Sequence, residues 1–160
     1  MSGIINQRGF NRSGIIGPIA PAQPAFLVTP ASSQDDISIN TDTTIVFGTE
    51  VFDQGSNFAS NTFTAPVTGK YQLSFAIRVD QIDSAATYYI VKIDTSNRDY
   101  ECFQIDPRKL SADPDYWSFS GAVLADMDAS DTAVIKIYQS SGTGQIDIST
   151  TSYFSGYLVC

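Results

Sequence analysis

From Lys70 to Val79 every second residue is large and apolar: Tyr71, Leu73, Phe75, Ile77 and Val79 alternate with Gln72, Ser74, Ala76 and Arg78. A period of two places all five on one side of an extended chain, and so predicts a strand with one face in a core. The rest of the chain after Ala25 repeats the theme in shorter pieces. Strands are expected at Phe26–Thr29, Thr44–Phe47, Thr87–Ile93, Tyr100–Ile105, Tyr116–Leu124, Thr132–Tyr138, Gln145–Ser149 and Tyr153–Val159. Turn residues separate them at Gly55, at 94–97, at Asp106-Pro107, at Asp113-Pro114 and at 140–144. No segment carries the apolar period of an amphipathic helix over three turns. Many short strands joined by turns define an all-β sandwich or barrel.

The spacing of particular residues narrows that choice. Phe47, Asp53, Phe58 and Phe63 precede a Gly69-Lys70-Tyr71 step that runs on through Leu73 to Phe75, and the chain closes on Phe154-Ser155-Gly156-Tyr157-Leu158. This order resembles the globular domain of the C1q/tumour necrosis factor superfamily over roughly residues 26–159. The Phe58–Phe63 spacing is shorter than in that family, and Leu73 stands where Phe is usual. The resemblance implies a jelly-roll β-sandwich that assembles as a homotrimer. It also marks Phe47, Phe58, Phe63, Gly69, Tyr71, Phe75, Phe154, Gly156 and Leu158 as fold-defining, with Gly69 supplying a permissive backbone at the turn. Relatives occur both as secreted complement and hormone proteins and as trimeric modules on virus and phage particles.

The last strand bears on assembly independently. Phe154 and Leu158 point one way while Tyr153, Tyr157 and Val159 point the other, and the run from Tyr88 to Val91 likewise has no polar face. A single sandwich buries one face of a strand, so the other needs a loop or a subunit against it. A trimer interface at Tyr153, Tyr157, Val159 and Tyr88 is the expectation.

Residues 1–25 read as an arm, and residues 26–160 as the jelly-roll domain. Ser2-Gly3-Ile4-Ile5 recurs as Ser13-Gly14-Ile15-Ile16, and Pro18, Pro21 and Pro24 follow three apart, which favours an extended path. Arg8 and Arg12 are the only ionisable side chains before Asp35, so the arm carries +2 and the remainder −10. Ile4, Ile5, Phe10, Ile15, Ile16 and Ile19 are large apolar residues without a core of their own. They are expected to fill pockets on a partner, with Arg8 and Arg12 pairing acidic groups there.

Composition excludes much else. There is no histidine, which removes Ser-His-Asp and Cys-His catalysis. Neither phosphate-cradling glycine motif is present. The pairs Asp113 with Asp115 and Asp126 with Asp128 suit turns better than glycoside cleavage. Asp126, Asp128 and Asp131 space oxygens at a calcium-like interval, but lack the glycine and distal Glu of an EF-hand loop. A plain turn is the favoured reading, and no cofactor is expected. Cys102 reads as a buried apolar residue. The acidic balance, 17 Asp and Glu against 9 Lys and Arg, argues against nucleic acid as a partner. No apolar run reaches the length of a membrane helix, and the start has no signal-peptide pattern.

The expectation that follows is a non-enzymatic virion protein made in a host cytoplasm, a capsid decoration or head-fibre protein of a bacteriophage held by its arm. The alternatives are a tail-fibre tip that binds a host receptor or glycan, and a free C1q-like binding protein.

Overall fold

The computed structural model describes residues 23–159, so the eight arm residues singled out above lie outside the described residues. Twelve strands follow in order: β1 (Ala25–Thr29), β2 (Thr43–Thr44), β3 (Thr49–Gln54), β4 (Phe58–Ala59), β5 (Thr62–Thr64), β6 (Gly69–Asp80), β7 (Tyr88–Thr95), β8 (Asp99–Ile105), β9 (Tyr116–Met127), β10 (Thr132–Ser140), β11 (Asp147–Ile148) and β12 (Tyr153–Val159). The expected strands recur with ends unchanged or moved by up to three residues, except that Thr44–Phe47 and Gln145–Ser149 shrink to two-residue pairings. A single 3₁₀ turn at Pro107–Lys109 is the helical element among the described residues, capped by Asp106.

All pairings are antiparallel, and they form two sheets. In the first, β6 pairs with β9 along its whole length on one edge and with β12 and β11 on the other; β1 and then β3 continue beyond β12. The second runs β4-β5-β10-β7-β8, with β2 beside the far part of β10. The hydrophobic effect closes the two over one core. Tyr71, Leu73, Phe75, Ile77 and Val79 are buried from the first sheet; Tyr89, Val91, Ile93, Ile135 and Ile137 are buried from the second. Phe26 lies 4.7 Å from Phe63 and 4.9 Å from Phe154, centroid to centroid, in an aromatic cluster that includes Phe47 and Phe58. The spaced phenylalanines of the sequence therefore meet in one place. Leu158 is only half-buried at the edge of this cluster.

The glycines act differently from expectation. Gly69 is not among the residues with positive φ; it opens β6 as extended backbone. Its role is space, because a Cβ there would sit 2.6 Å from Leu158 Cδ1. Gly156 makes the same kind of close approach, to Leu73 Cδ2 at 2.6 Å and Phe26 Cε1 at 2.8 Å.

Three strands escaped the sequence reading, β3, β4 and β5. Four consecutive residues of β3, Thr49 to Phe52, are exposed, so no alternation of burial marks it. The Asp53 carboxylate shapes the following turn, accepting from Asn57 N (3.1 Å) and Phe58 N (2.8 Å). That is the local reason for an Asp between the phenylalanines. Cys102 is half-buried rather than fully enclosed, and its surroundings raise the thiol pKa, chiefly by desolvation.

Candidate subunit interface

Register decides what the outside of the first sheet looks like. Tyr157 of β12 stands opposite Gln72 of β6, which stands opposite Leu124 of β9; Ser155 stands opposite Ser74, and Ser74 opposite Ala122. One pair further along, Tyr153 faces Ala76, which faces Ser120. On the other side of β12, Leu27 of β1 is opposite Ser155 and Phe52 of β3 is opposite Leu27. Tyr157 is 53% exposed, Leu124 52% and Phe52 49%. Tyr153 and Val159 are exposed as well.

The electrostatics of this face are quiet. Charge appears only toward its two ends, with Lys70 opposite Asp126 at one and Arg78 and Asp80 at the other. The outward residues of β6, β9, β12 and β1 between them carry no formal charge at neutral pH. Polar atoms there are partly paired internally: the Ser74 and Ser155 hydroxyls lie 2.9 Å apart. Small side chains at Ser74, Ala76, Ala122 and Ser155 leave the middle low between the larger rings. Such a face loses little on desolvation, and large exposed apolar patches of this kind mark interaction sites.

Three of the four residues expected at a subunit interface, Tyr153, Tyr157 and Val159, thus lie on one exposed face. The fourth does not join them. Tyr88 belongs to β7 in the second sheet, where it is half-buried and stacks on Tyr138 at 6.0 Å. Leu124 and Phe52 were missed. Leu124 is the last residue of the strand expected at Tyr116–Leu124, and the strand of Phe52 gave no periodic signal.

The outer face of the second sheet carries charge at its middle by contrast, beside the stacked Tyr88 and Tyr138. Lys92 and Lys136 stand side by side in register, an arrangement that like charges oppose. Asp42 and Asp99 each reach Lys92 at 2.9 Å, and Asp94 pairs with Lys136. Desolvation lowers the Lys92 pKa, but the two carboxylates outweigh it and the net shift is upward.

The calcium-like spacing resolves into a turn. Asp131 accepts from Asp128 N (2.7 Å), Ser96 Oγ (2.8 Å) and Asn97 Nδ2 (2.6 Å), and these bonds, led by Asp128 N–H, lower its pKa. Asp126 instead pairs with Arg98 at 3.2 Å. No group of three His, Cys, Asp or Glu among the described residues is arranged to hold a metal. Asp113 is a turn residue too, accepting from the Ser84 backbone N–H at 2.8 Å and from its hydroxyl.

Two antiparallel sheets with these connections make the molecule a jelly-roll β-sandwich. The family model for the C1q domain matches residues 25–159, and the chain belongs to that family. Among solved structures it is similar to the globular domain of zebrafish complement 1qA protein, with TM-score 0.63 and 16% identity over 86% of this chain and 98% of that one. It is also similar to murine APRIL, with TM-score 0.57 and 13% identity over 86% of this chain and 99% of that one. No curated protein matches it in sequence.

Proposed function

We propose that this chain is a non-enzymatic homotrimer whose subunits meet through the outer face of the first sheet. We further propose that it serves on a bacteriophage particle as a capsid decoration or head-fibre protein held by residues 1–25. The observation that carries the trimer is the uncharged, largely apolar face of Tyr153, Tyr157, Val159 and Leu124. Its small central residues let two such surfaces approach closely, and its ring of larger side chains supplies buried area. Sedimentation or native mass measurement in dilute buffer should return three times the 17.3 kDa chain mass. A monomer at micromolar concentration would sink the trimer.

Support for the particle lies in the arm. It is basic and rich in isoleucine, on a domain that is strongly acidic. A trimer presents three copies, so modest contacts by each would combine into near-permanent attachment. Pro24, near the start of the described residues, lies at the Gly69 end of the sandwich, where its carbonyl accepts from Leu158 N at 3.0 Å. Deletion of residues 2–24 should leave the β-sheet signal unchanged and abolish incorporation into particles. Normal incorporation of the truncated protein would move attachment to the jelly roll. A tail-fibre tip shares the fold and the trimer and differs in what the arm grips, so imaging of labelled particles separates head from tail.

A further inference from the structure

At the Gly69 end of the sandwich, Pro24, Gly55, Asn57, Pro66, Val67 and Leu158 line an apolar cleft of about 320 Å³. Val67 stands in it 46% exposed, a branched aliphatic side chain left to water. We propose that this cleft takes the side chains of Ile15 and Ile16 from the arm of a neighbouring subunit, so that three arms interlock the trimer.

The cleft is built from segments that are already fixed. Leu158 N donates to Pro24 O at 3.0 Å, which sets the first wall. Asn57 N donates to Asp53 Oδ1 at 3.1 Å and Thr64 N to Asn57 O at 2.8 Å, which sets the second. Residues 65–68 form the third, where Ala65 N donates to Asp131 O (2.8 Å) and Tyr71 Oη to Val67 O (2.8 Å). None of the residues lining the cleft is charged. An ordered apolar cleft of this kind suits aliphatic side chains and loses little entropy when they enter.

The occupant follows from where the chain joins the domain. Residues 1–22 precede Gln23 and Pro24, which lie at the cleft itself, so the isoleucines of the arm are tethered beside it at high effective concentration. Reach decides whose cleft they fill. Pro18, Pro21 and Pro24 favour an extended path at about 3.1 Å per residue, which spans about 25 Å from Pro24 to Ile16 and about 28 Å to Ile15. Such a path leads away from the subunit's own cleft. A neighbour's cleft is roughly one sheet width distant, and five strands spaced about 4.8 Å apart occupy about 24 Å. Charge agrees with this placement. The turn that carries Asp128 is bonded to the third wall, through Ala129 N to Thr68 Oγ1 (3.1 Å) and Ser130 N to Ala65 O (2.8 Å). The Asp128 carboxylate is exposed and has no hydrogen-bond or ion-pair partner among the described residues. Arg12 lies three residues before Ile15, about 10 Å of extended chain, and pairs with that carboxylate once Ile15 is seated. The second Ser-Gly-Ile-Ile is thereby assigned to the trimer, and Ile4, Ile5 and Phe10 are left for the particle.

This interlock rests on the trimer and not on the particle. The test uses the full chain carrying Cys160→Ser and Val67→Cys, with either Ile15→Cys or Ile16→Cys, under mild oxidation at micromolar concentration. A disulfide forms only where two Cα atoms come within about 7 Å. Denaturing electrophoresis without reductant should show chains linked into trimers for at least one pairing, whereas Ile4→Cys with Val67→Cys should stay unlinked. Where the cysteine variants fail to fold, Val67→Asp decides. It should weaken the trimer at least about tenfold on dilution, the loss of one buried aliphatic contact, and the comparably exposed Val46→Asp should not. The interlock is overturned if the disulfide closes within single chains, if neither pairing links chains, or if Val67→Asp associates like the parent. Sedimentation of the parent separates the two readings: a trimer with unlinked thiols removes the interlock alone, and a monomer removes both.

Discussion

Tyr157→Asp should convert the proposed trimer to a folded monomer. The side chain is exposed on the outer face of the first sheet, between Gln72 and Ala25, and makes no packing contact in the core. Within one subunit the change is a surface substitution, worth no more than about 0.5 kcal/mol. At the proposed interface it buries a carboxylate where the adjacent outward cation, Lys70, already stands opposite Asp126, at a cost on the order of 4 kcal/mol per subunit. Three copies multiply the effect beyond what a micromolar trimer can absorb. Sedimentation should show the monomer, while far-ultraviolet circular dichroism and the thermal transition of the monomer remain those of a β-sandwich. A Tyr157→Asp protein that stays trimeric would place the subunit contact elsewhere. Tyr88→Asp, on the second sheet, serves as the paired control and should leave the trimer intact.

The second large effect is on stability, and it comes from Asp83. Burial pushes this carboxyl up, yet the N–H groups of Gly144, Thr143 and Ala85 together outweigh burial, so its pKa in the folded protein lies below the ordinary value. Asp83→Ala leaves those three donors without their acceptor in a half-enclosed site. The expected loss is about 4 kcal/mol, read as a lower urea midpoint at pH 7. The pH dependence has a definite sign. A carboxylate with a depressed folded pKa contributes stability that is fully present above its unfolded pKa and disappears as pH falls through the folded one. The parent should therefore lose this contribution below about pH 4. Asp83→Asn keeps the shape without the charge, and should show a flatter acid limb with a smaller loss at pH 7. An acid limb identical to the parent's would show that Asp83 does not carry this dependence. Should Asp83→Ala fail to fold, the asparagine variant still reports the effect.

Asp83 illustrates what a sequence hides. Its neighbours in the chain, Asp80 and Ser84, suggest a polar turn and nothing more. Its acceptors' partners come from 60 and 61 residues away, at Thr143 and Gly144. Gly69 makes the same point in another form. Local reasoning assigns a glycine before a strand to backbone freedom, whereas here the constraint is the side chain of Leu158, brought in by strand pairing. Tyr88 lies away from the other three residues for a related reason. Its run looked apolar on both faces, as the last strand did, but which sheet a strand joins is settled by long-range pairing with β10.

What the amino-acid order determined by itself was periodic or local. The two-residue alternation from Tyr71 to Val79 set a buried strand face, and the opposite orientation of Phe154 and Tyr157 set an apolar outer face on β12. The spacing of Phe47, Phe58, Phe63 and Phe154 was enough to mark the fold, because those rings have to converge for the sheets to close. Tertiary structure alone decided which outward residues share a surface. Register brought Leu124, Gln72 and Tyr157 into one row and put Phe52 beside Leu27, though 85 residues separate Gln72 from Tyr157 and 25 separate Leu27 from Phe52. It also gathered three loops into a cup beyond the Asp80 end of β6. Strand pairing acts between backbones and carries no periodic trace in the chain, so a strand as exposed as β3 and a site built from several loops become visible only once the sheets have formed.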